Sequence, residues 1–166
     1  MNRFKARWGK SLWIMSTLGT VICLGVSFLL LRTNLPFRVN TLHFWLGILS
    51  LIPIVVAALF TVRGYSVSGN AVLVQRLFWS TSLSLAGLQS VEFRPDVVRG
   101  SIRTFGNGGF FSFTGYYRNK DLGSYRAFVT DPKRVVALRF PKGAVILSPD
   151  TPEEFVRVLS PFAVNA

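Results

Sequence analysis

Between Ser101 and Arg126 the chain reads SIRTFGNGGFFSFTGYYRNKDLGSYR, a stretch in which aromatic rings, glycines and cations are interleaved. Three chemistries use such a mixture. A glycine run can cradle phosphate on its backbone N–H groups. Phe105-Gly106-Asn107-Gly108-Gly109, however, lacks both the Gly-Lys-Ser/Thr of a nucleotide loop and the Gly-x-Gly-x-x-Gly spacing of a dinucleotide loop. Its glycines are read instead as a turn that needs positive φ. Catalysis, the second chemistry, needs a serine activated by a base or a pair of carboxylates. The only histidine, His43, lies in a distant apolar run, and Glu92, Asp96, Asp121 and Asp131 fall mostly in predicted turns or at strand ends, where acids are expected anyway. Cys23 is the only cysteine, so a disulfide within the chain and a cysteine metal site are both excluded. No enzyme and no cofactor are expected.

The third chemistry is a surface for anions, and it fits best. Arg99, Arg103, Arg118, Lys120 and Arg126 flank the rings. The candidate lipid or partner surface is Arg99, Arg103, Phe110, Phe111, Tyr117, Arg118 and Lys120, with Phe110, Phe111 or Tyr117 dipping into an interface. Near an anionic leaflet each cation contributes about 1 kcal/mol. The competing expectation makes the rings core and the cations a solvated rim. A different class of function would turn residues 105–120 into a small-ligand pocket of an enzyme or a transport accessory protein. Two carboxylates converging in a deep cleft would favour that alternative.

The charge distribution says what must hold this surface. The net charge is +12, and all seven acids lie beyond residue 63. The first 63 residues carry Arg3, Lys5, Arg7, Lys10, Arg32, Arg38 and Arg63 around two apolar runs. Cations flanking apolar runs suit a membrane better than nucleic acid, so no nucleic acid is expected as a partner. Leu12 to Leu31 contains no charge and would make a helix about 30 Å long, the thickness of a hydrocarbon core. The second run, Leu42 to Val62, has His43, Phe44 and Trp45 near one end, as at an interfacial belt. Pro53 within it removes a donor to the carbonyl of Leu49 and predicts a bend. Gly19, Cys23 and Ser27 form a small-residue stripe on which the second helix is expected to pack. The resulting division is a basic cytoplasmic head at 1–11, transmembrane helices at 12–31 and 42–62, a short loop at 32–41 containing Pro36, and a β domain at 64–160. Four cations before the first helix against two in the loop predict a multi-pass protein of the bacterial inner membrane with both termini cytoplasmic.

From Gly64 onward short strands alternate with turns. Ser68-Gly69-Asn70 turns Tyr65–Val67 into Ala71–Leu77, and Ser82 to Leu85 puts Leu83 and Leu85 on one face. Leu88, Val91 and Phe93 are expected in the core. Gly123 to Thr130 alternates, with Tyr125, Ala127 and Val129 on one face and Arg126 and Phe128 on the other. Val135–Phe140 and Ala144–Leu147 follow, separated by turns. Turns every eight to twelve residues or so indicate an antiparallel sandwich or open barrel. Thr151-Pro152-Glu153-Glu154 reads as a capping box that opens a final helix, with Phe155, Val158 and Leu159 on its apolar face.

About seven antiparallel strands closed by a C-terminal helix resemble a pleckstrin-homology (PH)-like barrel. Residues 64–160 resemble the bacterial PH domain family in particular, through Ser148, Pro149, Asp150, Pro152, Glu153 and Phe155 and through the pattern from Phe105 to Pro132. The resemblance implies a membrane α-helical hairpin carrying a mainly-β PH-like domain. The phosphoinositide-binding branch of PH domains places several cations across its first hairpin, whereas Tyr65 to Leu77 has only Arg76. The expected function is a non-catalytic, membrane-anchored interaction module that presents a protein- or anionic-lipid-binding surface. Its expected partners are membrane lipids and another membrane protein or a second copy of itself.

Overall fold

The computed structural model describes residues 2–32 and 41–163, so the expected loop at 32–41, with Pro36 and Arg38, lies almost wholly outside the described residues. In chain order the elements are β1 (Asn2–Lys5), α1 (Lys10–Arg32), α2 (Thr41–Leu49), α3 (Ile52–Leu59), β2 (Gly64–Ser68), β3 (Ala71–Gln75), β4 (Ser80–Ser84) and β5 (Ser90–Phe93). They continue with β6 (Ile102–Gly108), β7 (Phe113–Asn119), β8 (Gly123–Val129), β9 (Val136–Phe140), β10 (Gly143–Leu147) and α4 (Pro152–Leu159), which ends in a 3-10 turn, Ser160–Phe162.

Helix α1 and the segment Leu42–Leu59 are each long and apolar enough to cross a membrane, with a mean hydropathy of 2.2. Most of their large apolar side chains are exposed. The second segment is broken where Pro53 predicts a bend. Pro53 falls in the first turn of α3, and the chain crosses the break on tight i→i−3 bonds from Leu51 N–H to the Ile48 carbonyl and from Ile54 N–H to the Leu51 carbonyl.

The strands form two sheets, ordered β1-β2-β3-β4 and β5-β9-β10-β8-β7-β6. This is the expected PH-like architecture with three differences. Ten strands are present among the described residues rather than about seven, and the sheets face each other without closing into a barrel. In addition, β10 inserts between β8 and β9 and runs parallel to β8. Alternation within a strand reports its two faces, not its neighbours, so the parallel pair left no mark in the pattern. The faces themselves are as expected. Tyr125, Ala127 and Val129 belong to an apolar cluster on the outer side of the larger sheet, and Phe128 belongs to the core between the sheets, with Tyr65, Val72, Leu85, Leu138, Leu147 and Phe155.

Strand β1 is the element that sequence reading missed, because four residues inside a basic segment carry no periodic signal. It pairs antiparallel with β2, from Asn2 opposite Val67 to Lys5 opposite Gly64. Phe4 is buried, with its ring edge-on to Phe155 at 4.9 Å. Lys5 N–H donates to Asp150 Oδ1 at 3.1 Å and Asp150 N–H returns a bond to the Lys5 carbonyl at 2.9 Å. Further along, Gly9 N–H donates to the Thr130 carbonyl at 3.0 Å, and Thr130 Oγ1 donates to the Arg7 carbonyl at 2.9 Å. The residues ahead of α1 are thus stitched to the β domain on several sides.

Two local expectations are corrected. Thr151 precedes α4 but makes no side-chain capping bond; Pro152 at the start of the helix and buried Phe155 and Leu159 hold it instead. Phe93 is 37% exposed, since β5 is an edge strand.

A buried hydroxyl joins the two sheets. Tyr65 Oη donates to the Phe128 carbonyl at 2.6 Å and accepts the Ser148 N–H at 3.1 Å. Burial pushes the phenol up to about 12 from 10.0, against the smaller opposing effect of its bonds to Ser148. Tyr65→Phe leaves a carbonyl and an N–H unsatisfied in the core and is expected to cost about 1–3 kcal/mol in denaturant unfolding. Because the folded-state value is raised, the stability linked to this group is fully present below pH 10 and is lost as the pH rises towards 12. In Tyr65→Phe that part of the alkaline loss should disappear.

Candidate lipid or partner interface

The Gly-aromatic stretch is the β6–β7 hairpin, and its glycines serve the ladder more than the turn. Gly106 and Gly115 are paired, with φ of 111° and 135°. A Cβ on either would lie 2.3 Å or 2.2 Å from a carbonyl oxygen of the opposite strand, so only glycine fits. The tip, Gly109 to Ser112, is closed by the side chain of Asn107. Its Oδ1 accepts from Gly109 N–H at 3.2 Å and Phe110 N–H at 2.9 Å, and its Nδ2 donates to the Phe110 carbonyl.

This tip docks on α1. Phe111 N–H donates to Ser16 Oγ at 2.9 Å, and Ser16 Oγ donates to the Gly109 carbonyl at 3.5 Å. Phe110 covers Gly19, where a Cβ would come within 2.9 Å of its ring. The small residue at Gly19 thus receives a ring from the β domain, rather than the second helix that the stripe led us to expect. Helix α2 packs further along, where Gly47 meets Leu30 and Leu31. Phe111 has a φ of 64°, an uncommon conformation for a bulky residue. Its bond to Ser16 and its edge contacts with Trp8 (5.6 Å) and Phe110 (4.9 Å) hold it there. Rings and helix thus settle the direction of Phe110 and Phe111: both face α1 and the segment before it.

The domain grips α3 as well. Arg76, just past β3, donates from a guanidinium N–H to the carbonyl of Phe60, which ends α3. A cation at a helix C-terminus is favourable both as a donor and against the helix dipole. Trp79 packs edge-on to Phe60 at 5.1 Å, while Phe78 beside it is 77% exposed.

Two cavities flank β7 and β8. One, of about 740 Å³, lies between α1 and the outer face of the larger sheet and is lined by Met15, Asp96, Arg99, Arg103 and Tyr117, among others. The other, of about 590 Å³, lies between α3 and the opposite face, with Pro53, Val56, Arg76, Phe105 and Arg126 in its wall. The structure therefore splits the predicted surface. Arg99 and Arg103 meet at the first cavity, Phe110 and Phe111 clasp α1, and Arg118 and Lys120 are exposed at the far end of the hairpin, with Arg118 about 17 Å along β7 from Phe113. Tyr117, expected at an interface, is buried at 8% exposure, stacks on Tyr125 at 5.8 Å and donates its hydroxyl to the Asn107 carbonyl. Burial raises its phenol to about 12. Sequence reasoning missed Ser16, Trp8 and Phe60. Arg76 was visible only as the lone cation of its hairpin.

Asn107→Ala removes the acceptor for two tip N–H groups, at an expected cost of about 1–3 kcal/mol. Faster hydrogen exchange at the amides of Gly109 to Phe111 should report it; unchanged protection there would mean that α1 alone holds the tip.

Compared with known protein families, residues 63–161, more than half of the chain, match the family described as Bacterial PH domain. No curated protein and no solved structure matches the chain.

Proposed function

The chain belongs to the bacterial PH domain family, and on that footing we propose that it is a membrane-anchored, non-catalytic module presenting an anionic-lipid or protein surface at the cytoplasmic face of a bacterial inner membrane. The observation that carries this reading is the pairing of β1 with β2 across two exposed apolar helices. A strand before α1 bonded to a strand after α3 requires both ends of the helical hairpin to be on one side. Arg3, Arg7, Lys10 and Arg63 cluster at that side, which by the bias of basic residues is the cytoplasm.

The docked hairpin fits the same arrangement. Ser16 and Gly19 lie about 9 and 13 Å along α1 from Lys10, so the Gly109–Phe111 tip would reach into the upper acyl region. Irregular backbone at such depth must have its N–H groups bonded within the protein. Those of Gly109, Phe110 and Phe111 are all bonded, to Asn107, Ser112 and Ser16. The lipid-facing sides of the helices suit a second copy or another membrane protein. The cavity of about 740 Å³ favours a second reading, a small-ligand pocket, although Asp96 is the only carboxylate in its lining.

Two measurements test the anchor. The chain is expected to stay in the membrane pellet through carbonate and high-salt washes and to need detergent for release; release without detergent would end the anchored reading. In a Cys23→Ser background, single cysteines at Asn2 and at Lys120 should both be inaccessible to a membrane-impermeant thiol reagent outside intact cells, and both react after permeabilisation. Labelling of one alone from outside would overturn the hairpin.

A further inference from the structure

In the groove beside α3, two arginines have no acid to answer them. Arg76 and Arg126 both bring a guanidinium over the ring of Phe128, at 5.5 and 4.8 Å from its centroid. Arg126 also lies 5.9 Å from the ring of Tyr116, and Arg76 lies 5.3 Å from that of Phe60. Among the described residues the one ion pair joins Arg134 and Asp131, and no acid lines the groove. The Arg76 guanidinium donates to the Phe60 carbonyl and, at 3.4 Å, to Thr81, whereas the Arg126 guanidinium donates to no protein group among the described residues. Two like charges brought together in a half-buried place destabilise one another. In keeping with this, burial first and the charge of Arg126 second lower the Arg76 guanidinium from its ordinary value. An anion between them would reverse that balance, with the remaining N–H groups available as forked donors to phosphate oxygens.

The rest of the groove is apolar and follows the helix. Pro53, Val56 and Ala57 form one side, reaching about 10 Å along α3 from Phe60. Phe105, 75% exposed, faces them from β6. A cationic end continuous with an apolar trough beside a membrane helix matches the division of a phospholipid into headgroup and acyl chain.

We propose that this groove binds an anionic phospholipid, with its phosphate on Arg76 and Arg126 and one acyl chain along Pro53, Val56 and Phe105. The proposal rests on the membrane reading above and gives that module its ligand. Two uncompensated cations select a net-negative headgroup over a zwitterionic one, and the trough along α3 selects a lipid over free phosphate.

Native mass spectrometry of the full chain in neutral detergent tests it, with phosphatidylglycerol, phosphatidylcholine or inorganic phosphate added. The expected result is saturable retention of one phosphatidylglycerol, with phosphatidylcholine about tenfold weaker. R126Q should lower phosphatidylglycerol retention about tenfold, whereas R157Q, exposed on α4, should leave it unchanged. V56W fills the trough while keeping both arginines and should also lower retention, so it decides the matter if R126Q proves unstable in thermal unfolding. Equal retention of both lipids, no effect of R126Q in a folded chain, no effect of V56W, or binding of inorganic phosphate in place of lipid would each overturn the proposal. Failure of the carbonate test removes the membrane reading itself; failure here with the chain still anchored removes only the lipid site.

Discussion

The ladder between β1 and β2 is the constraint on which the rest of the structure depends. Four residues ahead of the first apolar helix complete a sheet whose other strands all follow the second. The residues that receive β1 are those through which the chain resembles its family: Asp150 holds Lys5 on both backbone groups, and Phe155 takes the ring of Phe4. The matched range begins at residue 63, so β1 lies outside it and docks onto it. With its root held at β1 and at Gly9 to Thr130, α1 leaves the domain in a defined direction, and the hairpin tip meets it at Ser16 and Gly19. The helices are therefore parts of the fold at their domain ends, rather than a tether attached to it.

A second theme is the way in which polar groups are handled beside apolar helices. At the tip every N–H from Gly109 to Phe111 has a partner, and Asn107 serves three groups at once. In the groove on the other side of the sheet, by contrast, charge is left uncompensated on two arginines that share one phenylalanine ring. Closed backbone and open charge lie on the two sides of a single hairpin. The first is what a low-dielectric setting demands of structure, and the second is what a binding site offers to an anion.

Much of this was legible in the sequence. The two apolar runs, the break at Pro53, the alternation that sends Tyr125, Ala127 and Val129 one way and Arg126 and Phe128 the other, and the final apolar helix face are all local patterns. What escaped was long-range. A four-residue strand with a single buried side chain, Phe4, is too short to show a period. The parallel placement of β10 against β8 depends on which strand edge was left free. The direction of Phe110 and Phe111 depended on Ser16 and Gly19, some ninety residues away, where a serine and a glycine in an apolar run look like ordinary helix-packing residues. Tyr117 and Tyr116 are adjacent and chemically alike, and only the pleat sends one into the buried cluster on the outer face of the larger sheet and the other to the exposed wall of the groove.

The pairing of Asn2 with Val67 also has a consequence for biogenesis. Strand β1 is made before a partner that arrives only after both apolar helices, so the smaller sheet cannot be completed until the helical hairpin has been synthesised. In the proposed bilayer arrangement, a chain with only one helix inserted has β1 and β2 on opposite sides of the membrane and cannot form this ladder. Burial of Phe4 against Phe155 is thus available only to chains whose second helix has returned, and an arrested insertion leaves the β2 edge unpaired.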